Sequence, residues 1–377
     1  MRSKTLTMRI CFTTQNILPF FDASIPMTSV GGAEMQQYYL GQFFDERAVS
    51  VAYLSQDYGQ DDIYHVDNIT FYKTFDSCKG VAGLRFFYPR LYRIWLALLK
   101  ADADIYYTRC ASYLPGILAL FCKIYGRKFV FAGAHDTDFM PAQHKVRNAR
   151  DRFLYLYGIK RADAIIVQSC AQQDLLRLHY HREGHVIRNL YPSEVRLVDT
   201  GRDYILWVAT IQYWKQPEKF LDLARKLPFE RFVMIGGPGR EIDFYNTIRD
   251  EASKIPNLEF KGFLPFIEAK NFFDRAKIFV NTSEHEGFPN TFLQAWCRGI
   301  PVVTFVDPDN LIRDNGLGIV ADSDEDLAHS VSKLINDFNK YEERCMSYFM
   351  SNHSPQAIVD QYLGIFQGLN AFSCDHS

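Results

Sequence analysis

The chain of 377 residues is too long for one typical core and predicts two domains. Its residues are 47% hydrophobic and 15% aromatic, which excludes a disordered chain. The formal net charge of −2 provides no overall basic field, so we expect no nucleic-acid partner.

The first half of the chain alternates short β-rich runs with helical patterns. Strands are predicted at residues 8–13, 50–53, 105–108, 128–132 and 164–168. Helices are predicted at residues 32–44, 83–99, 113–125, 147–160 and 170–178. This alternation is typical of βαβ crossovers around a parallel sheet.

A polar stretch at residues 191–203 lacks apolar periodicity and is predicted to be a linker. The pattern then restarts, with strands predicted at 204–209, 231–235, 277–281 and 301–306 and helices at 217–226 and 291–298. Gly299 follows the last of these helices and is expected to adopt the left-handed conformation of a C-cap. Two doubly wound halves around a linker predict a binding site in a cleft.

Residues 283–294, Ser-Glu-His-Glu-Gly-Phe-Pro-Asn-Thr-Phe-Leu-Gln, join an apolar strand to a helix that should begin near Pro289 or Asn290. The unpaired amides and the dipole at a helix N-terminus favour a phosphate. Glu286 before this loop and Gln294 after it are spaced to grip the two sugars of a nucleotide-sugar. An ordinary βα turn with a solvated glutamate fits the same spacing.

This segment resembles the E-x7-E motif of family-4 glycosyltransferases. By that resemblance Glu286 contacts the donor sugar. The loop that binds the donor diphosphate through backbone amides would consist of Gly287, Phe288, Pro289 and Asn290. The second glutamate of the motif, which usually binds the ribose hydroxyls, is here Gln294. Glutamine can accept one hydrogen bond and donate another, but it lacks the charge.

The resemblance extends over residues 8–366 and implies an α/β protein of the GT-B fold, with two Rossmann-like doubly wound domains facing across a cleft. It implies an acceptor-binding domain at 1–195, a nucleotide-sugar donor domain at 196–354, and a helix at 355–377 that crosses back to the first domain. The implied reaction is retaining, hexosyltransferase-type transfer from a UDP- or GDP-sugar to a hydroxyl. The expected acceptor is a glycan or lipid-linked oligosaccharide of surface polysaccharide biosynthesis, and no metal or cofactor is expected.

Paired glycines, Gly31 and Gly32, open the helix after the first predicted strand. Glycines let a backbone approach a phosphate closely, although a tight turn explains the pair equally well. Family-4 glycosyltransferases carry a Gly-Gly-Ala-Glu at this point, and the resemblance implies contact of Gly32 with the donor diphosphate across the cleft.

The family pattern at the start of the second domain is Gly-Arg followed by a lysine five residues after the arginine. Lys215 occupies the lysine position, while Thr210 stands in place of the arginine. In the family these two cations neutralise the leaving diphosphate. Arg240, next to the glycine-rich turn that contains Gly237, is the candidate for the missing cation. A plain surface lysine at position 215 is the alternative.

His135 follows a predicted strand in the sequence Ala-His-Asp-Thr-Asp. Most such residues cap helices or form hydrogen bonds with backbone groups in loops. The family places a histidine near the reacting sugar, so the resemblance implies that His135 orients this sugar. Asp136-Thr137-Asp138 matches the letters of a D-x-D metal motif, but in a GT-B protein we interpret it as an acceptor-side loop.

Residues 84–100 mix aromatic side chains with Arg85, Arg90, Arg93 and Lys100. Such a segment suits contact with an anionic bilayer and a lipid-linked acceptor. A core-facing helix with a solvated basic side is the slightly preferred alternative.

The eight cysteines are scattered and form no C-x-x-C pair, which fits a reducing compartment. No apolar run reaches the length of a membrane span, and no apolar stretch of a signal peptide follows the N-terminal charges. The expected location is therefore the cytoplasm, with peripheral contact to the inner face of the plasma membrane.

Two other functions share the predicted architecture. A non-hydrolysing nucleotide-sugar epimerase would need acid and base carboxylates that the sequence does not identify. A non-catalytic nucleotide-sugar binding protein would be compatible with the departures at Thr210 and Gln294. A dinucleotide oxidoreductase is disfavoured because no G-x-G-x-x-G follows the first strand.

Overall fold

The computed structural model describes residues 8–27, 31–76, 78–81, 84–141, 146, 148–193 and 201–371. The chain divides into two compact units. The first comprises Met1–Arg188 together with Gln356–Ser377, and the second comprises Asn189–Pro355. The chain therefore passes from one unit to the other at residues 188/189 and again at 355/356.

The described part of the first unit contains one eight-stranded sheet in the order β3-β4-β2-β1-β5-β6-β7-β8. Its strands are β1 Arg9–Thr13, β2 Ser50–Ser55, β3 Ile63–Val66, β4 Ile69–Lys73, β5 Ile105–Arg109, β6 Lys128–Ala132, β7 Ala164–Val167 and β8 His185–Val186. Neighbouring strands are parallel, except that β3 and β4 form an antiparallel hairpin. The buried strands are runs of apolar residues because helices cover the sheet.

The helices of the first unit follow the strands in alternation. They are α1 Gly32–Glu46, α2 Tyr92–Ala101, α3 Leu114–Tyr125, α4 Ala149–Arg161, α5 Cys170–Tyr180 and, at the far end of the chain, α12 Pro355–Ala371. Helix α12 packs the rings of Tyr362 and Phe366 against Phe44 of α1, with ring centroids 6.2 and 5.8 Å apart. An ion pair between Arg47 and Asp360, 3.0 Å apart, borders this contact.

The described part of the second unit contains a parallel six-stranded sheet in the order β11-β10-β9-β12-β13-β14. Its strands are β9 Tyr204–Val208, β10 Phe232–Ile235, β11 Leu258–Phe260, β12 Ala276–Asn281, β13 Val302–Thr304 and β14 Gly318–Val320. Its helices are α6 Pro217–Lys226, α7 Ile242–Ala252, α8 Phe266–Ala269, α9 Asn290–Trp296, α10 Leu311–Asn315 and α11 Asp324–Asn352. Strands β9 and β12 are neighbours, so the loops after them leave the sheet side by side.

The predicted strands and most predicted helices are confirmed to within a few residues. The helix predicted at 83–99 is wrong at its start, because an irregular turn occupies Phe86–Leu91 and α2 begins at Tyr92. Tyr88 is extended there, since a residue before proline avoids the helical region. The helix predicted at 291–298 ends early, at Trp296, and Gly299 has the expected left-handed φ of 71°. The predicted linker lies partly outside the described residues.

Candidate active site

The carboxyl ends of β9 and β12 bring Lys215 and Glu286 together. Lys215 Nζ donates a hydrogen bond to Glu286 Oε1, forming an ion pair. The two side chains are only 15% and 10% exposed. These residues are 71 positions apart, so only the parallel pairing of β9 with β12 joins them.

One carboxylate oxygen of Glu286 is held by three donors. Besides Lys215, Oε1 accepts from Ser283 Oγ at 2.7 Å and from Asn281 Nδ2 at 3.3 Å. The Asn281 side chain is itself fixed, because its Oδ1 accepts from Ser283 N at 3.0 Å. Among the described residues, no hydrogen bond reaches Glu286 Oε2. The carboxylate is thus oriented through one oxygen, and the other remains able to accept from a ligand.

The loop that carries Lys215 is tied to the loop that carries Glu286. Thr282 Oγ1 donates to Lys215 O at 2.7 Å, and Trp207 Nε1 donates to Thr282 Oγ1 at 2.9 Å. The Lys215 ammonium also lies 3.9 Å from the ring centroid of Trp214, a cation–π contact. Trp214 was not among the predicted site residues, although the adjacent Trp-Lys pair is visible in the sequence.

The residues predicted to bind diphosphate form a buried loop before α9. Gly287, Phe288 and Pro289 are buried, and Asn290 is the first residue of α9. Pro289 has no N–H, so it shapes the loop and cannot donate to a phosphate. Helix α9 has only seven residues, so its dipole alone does not define an anion site.

Gln294 lies in the second turn of α9 and is 4% exposed. Its backbone carbonyl accepts from Arg298 Nη1 at 3.1 Å. Within the described part of the chain, its side-chain amide has no hydrogen-bond partner. The amide is therefore free to exchange two hydrogen bonds with a ligand.

The predicted substitute for the missing arginine lies beside the loop after β9. Ile211 N donates to Gly237 O at 2.9 Å, which joins the glycine-rich turn to this loop. Thr210 and Arg240 are both exposed. No hydrogen bond or ion pair holds Arg240 among the described residues, so its guanidinium keeps its donors for solvent or a ligand.

The glycine pair of the first unit begins α1. Gly31 is the N-cap residue, with φ of −95° and ψ of 142°, and Gly32 is the first helical residue. A Cβ on Gly31 would lie 2.0 Å from Glu34 Oε2, so a larger residue would displace that carboxylate. Residues 28–30, just before the pair, lie outside the described residues.

His135 caps a short 3-10 helix in the first unit. Its Nδ1 accepts from Thr137 N at 3.2 Å, which fixes the proton of the neutral ring on Nε2. The Asp138 carboxylate accepts from Ala134 N at 2.8 Å and His135 N at 3.1 Å. Burial raises the pKa of Tyr155 well above its usual range, so its hydroxyl stays protonated and donates to Asp138 O. The loop therefore holds His135 in one orientation.

Thr137 and Asp138 belong to this capping network, whereas Asp136 Oδ1 accepts a hydrogen bond from Gln172 Nε2 at 3.0 Å. In the described ranges, no cluster of three or more His, Cys, Asp or Glu side chains has the arrangement of a metal site.

None of the helices in the described ranges combines the length and the apolar character needed to cross a bilayer.

Comparison with known proteins identifies the type of protein. Residues 30–194 match the family described as Glycosyltransferase Family 4, and residues 202–337 match the family described as Glycosyl transferases group 1. Among curated proteins, the lipopolysaccharide core biosynthesis glycosyltransferase LpsE of Rhizobium meliloti (strain 1021) is 26% identical over 139 residues. This match takes in 35% of the chain and only 40% of the length of that relative.

Two solved structures illustrate the fold. Sucrose-phosphate synthase from Thermosynechococcus elongatus has a TM-score of 0.75 at 14% identity, covering 97% of this chain and 99% of that one. WaaG, a glycosyltransferase involved in lipopolysaccharide biosynthesis, has a TM-score of 0.68 at 14% identity, covering 95% and 100%. Two parallel-sheet α/β units of this type are the architecture of the GT-B fold.

The two family matches together span most of the chain, one on each of its α/β units. The chain belongs to the family-4 glycosyltransferases.

Proposed function

We propose that this glycosyltransferase transfers a hexose from a nucleoside diphosphate donor to a hydroxyl, with retention of anomeric configuration and without a metal. The observation that carries the proposal is the Lys215–Glu286 pair at the ends of adjacent strands, beside the Gly287–Asn290 loop. A cation for the leaving group and an oriented carboxylate for the sugar are the two groups such a reaction needs. Family membership supports this assignment.

Charge in the transition state develops on the diphosphate leaving group and on an oxocarbenium-like sugar. In the proposed mechanism Lys215 neutralises the diphosphate, with backbone amides of Gly287, Phe288 and Asn290 as further donors. Glu286 accepts hydrogen bonds from sugar hydroxyls through Oε2 and positions the sugar without attacking it. The exposed Arg240 supplies the second cation, and Gly237 lets the backbone of its turn approach the nucleotide.

The roles of three residues in the first unit stay predictions from the resemblance. Gly31 and Gly32 are proposed to contact the donor diphosphate through their backbone. His135 is proposed to orient the sugar with Nε2–H as a hydrogen-bond donor, because its Nδ1 is already occupied.

The acceptor we propose is a glycan or lipid-linked oligosaccharide in cytoplasmic assembly of a surface polysaccharide. Similarity to LpsE and WaaG, two glycosyltransferases of lipopolysaccharide biosynthesis, supports this class.

A thermal-shift screen tests the donor class. We expect a nucleoside diphosphate, UDP or GDP, to raise the melting temperature at concentrations where the matching nucleoside and inorganic phosphate do not. An equal response to all phosphates, or to NAD alone, would argue against a nucleotide-sugar donor.

Gln294 is expected to bind the ribose of the donor. Gln294→Ala removes a buried side-chain amide that has no hydrogen-bond partner among the described residues, so we expect weaker donor binding, by about tenfold, with kcat at saturating donor unchanged. Gln294→Glu restores the acidic residue of the motif and is the matched control for side-chain size. Isothermal titration with the nucleoside diphosphate measures both, and unchanged affinity in Gln294→Ala would remove this residue from the site.

Residues 84–100 are proposed to contact an anionic membrane. Five large apolar or aromatic side chains of this segment are exposed, namely Leu84 at 65%, Phe87 at 61%, Tyr88 at 67%, Tyr92 at 50% and Leu99 at 41%. Ile94 and Leu98 of α2 are buried, so the helix also has the core-facing side of the alternative interpretation. Amphipathic segments with basic residues bind anionic interfaces in two ways, through burial of their apolar side chains and through electrostatic attraction to anionic lipids.

Co-sedimentation with vesicles tests this contact. Phe87→Ser with Tyr88→Ser is expected to reduce binding to vesicles that contain phosphatidylglycerol by about tenfold, while neutral vesicles bind neither protein. The matched control is Phe229→Ser, since Phe229 in the second unit is fully exposed. Equal loss in the control, or wild-type binding in the double variant, would show that this segment is not the contact.

A further inference from the structure

Asn189, the first residue of the second unit, forms hydrogen bonds with the predicted diphosphate loop. Its side chain is 4% exposed. Its Nδ2 donates to Asn290 Oδ1 at 3.0 Å and makes a longer contact to Phe288 O at 3.4 Å. The side-chain nitrogen of this buried amide therefore contacts two residues of the predicted Gly287–Asn290 diphosphate loop.

His353 supports Asn189 from the other end of the unit. It is completely buried, and its Nδ1 lies 2.7 Å from Asn189 O. Because a carbonyl can only accept, Nδ1 must carry the proton in this bond. The imidazole also packs on the ring of Phe288, with centroids 5.2 Å apart. Tyr191 N in turn donates to His353 O at 3.3 Å.

These contacts link the diphosphate loop to both places where the chain passes between units. Asn189 follows the first passage, and His353 lies three residues before the second. A loop whose amides must point at a diphosphate binds more tightly if it is already held in that conformation, because less order is lost on binding.

We propose that Asn189 and His353 are positioning residues that hold residues 288–290 in the donor-binding conformation. The proposal rests on the proposed function in that this loop binds a nucleoside diphosphate. Neither residue touches the donor. Asn189 acts through the Phe288 carbonyl and the Asn290 side chain, and His353 acts through Asn189 and the Phe288 ring.

The first test compares Asn189→Leu with Asn257→Leu. Leucine has nearly the shape of asparagine and adds no charge that would repel a diphosphate. Asn257 is a matched control, since its Nδ2 donates to three backbone carbonyls of the second unit, those of Ala224, Leu227 and Glu230. Both substitutions remove side-chain hydrogen bonds that are at least partly buried, but only the first removes bonds to the diphosphate loop.

Two measurements distinguish a loss of order in the diphosphate loop from a general loss of protein stability. In ligand-free Asn189→Leu, hydrogen exchange in residues 286–292 is expected to accelerate about tenfold, and UDP or GDP is expected to bind about tenfold more weakly. The KM for donor rises correspondingly while kcat at saturating donor stays within about twofold. Asn257→Leu is expected to lower the melting temperature without changing either measurement.

A second pair of variants isolates the His353 bond. His353→Asn keeps an N–H donor close to the position of Nδ1, whereas His353→Leu does not, and both lose the imidazole ring. We expect His353→Asn to recover most of the nucleotide affinity lost in His353→Leu. This pair also decides the matter if Asn189→Leu does not fold.

The proposal would be overturned if Asn189→Leu had the hydrogen-exchange rates and the nucleotide affinity of the wild type. It would also be overturned if Asn257→Leu changed both quantities as much as Asn189→Leu does. If the two His353 variants bind UDP or GDP equally well, the hydrogen bond from His353 Nδ1 to Asn189 O has no role in positioning the loop. If wild-type protein binds neither UDP nor GDP, the proposed function fails, and the exchange comparison in ligand-free protein still decides whether Asn189 orders this loop.

Discussion

Glu286→Gln is expected to lower kcat/KM for sugar transfer about 100-fold while nucleoside diphosphate affinity stays equal to wild type or rises. Glutamine keeps the shape of the side chain but presents an amide where the carboxylate accepts three hydrogen bonds at Oε1. The sugar then loses an oriented, charged acceptor. Lys215, no longer paired with an anion, becomes more available to the diphosphate, so nucleotide binding does not suffer.

Glu284→Gln is the matched control for this experiment. Glu284 lies on the same loop but is exposed, and its Oε1 accepts from Gln216 Nε2 at 2.5 Å. Transfer is measured with the donor identified by the thermal-shift screen, and affinity by isothermal titration. Transfer by Glu286→Gln within a few-fold of wild type would exclude Glu286 from the reacting site. A parallel loss of nucleotide affinity would show that the carboxylate acts on the nucleotide and not on the sugar.

Lys215→Met is expected to impair both steps. Removal of one cation from a leaving group costs about 100- to 1000-fold in kcat, and loss of a charged donor to the diphosphate weakens nucleoside diphosphate binding by at least about tenfold. The two members of the ion pair thus differ in their binding phenotype. Of these two residues, only Lys215 is predicted to contribute to the affinity for the product nucleotide.

The Lys215 substitution also leaves the largely buried Glu286 carboxylate without its cation, which destabilises the fold. The double variant Lys215→Met with Glu286→Gln removes both charges and is expected to regain part of the lost melting temperature without regaining activity. Lys219→Met is the control, because Lys219 forms its ion pair with Asp324, at 2.5 Å, whereas Glu286 pairs with Lys215. Nucleotide affinity in Lys215→Met equal to that in Lys219→Met would contradict the role in diphosphate binding.

The sequence predicted those elements that have clear periodicity and missed several others, and two of the misses have identifiable physical reasons. The β3–β4 hairpin was missed because β3 is half exposed and carries no apolar alternation. The Asp67-Asn68 turn between these strands, with φ of +50° at Asp67, was the available signal. Helix α11 was missed despite a capping signal, since Ser323 Oγ accepts from Asp326 N at 3.2 Å.

The candidate site could be predicted only in part. Resemblance suggested Glu286 and Lys215 as candidates, but the hydrogen bonds that orient Glu286 through one oxygen depend on Asn281 and Ser283 in the folded loop. Asn189 and His353 gave no signal, because a single asparagine and a single histidine 164 positions apart show no pattern. Their contact exists only once the second unit is folded.

The most direct test of the central claim is ¹H NMR of a reaction that contains a chelator, the identified nucleotide-sugar and a glycan acceptor. We expect one nucleoside diphosphate to be released per sugar transferred, a product with the anomeric configuration of the donor, and loss of both signals in Glu286→Gln. An inverted product would contradict the retaining mechanism, and activity that requires an added metal would contradict metal independence. Epimerised donor in the absence of acceptor would contradict the transferase itself.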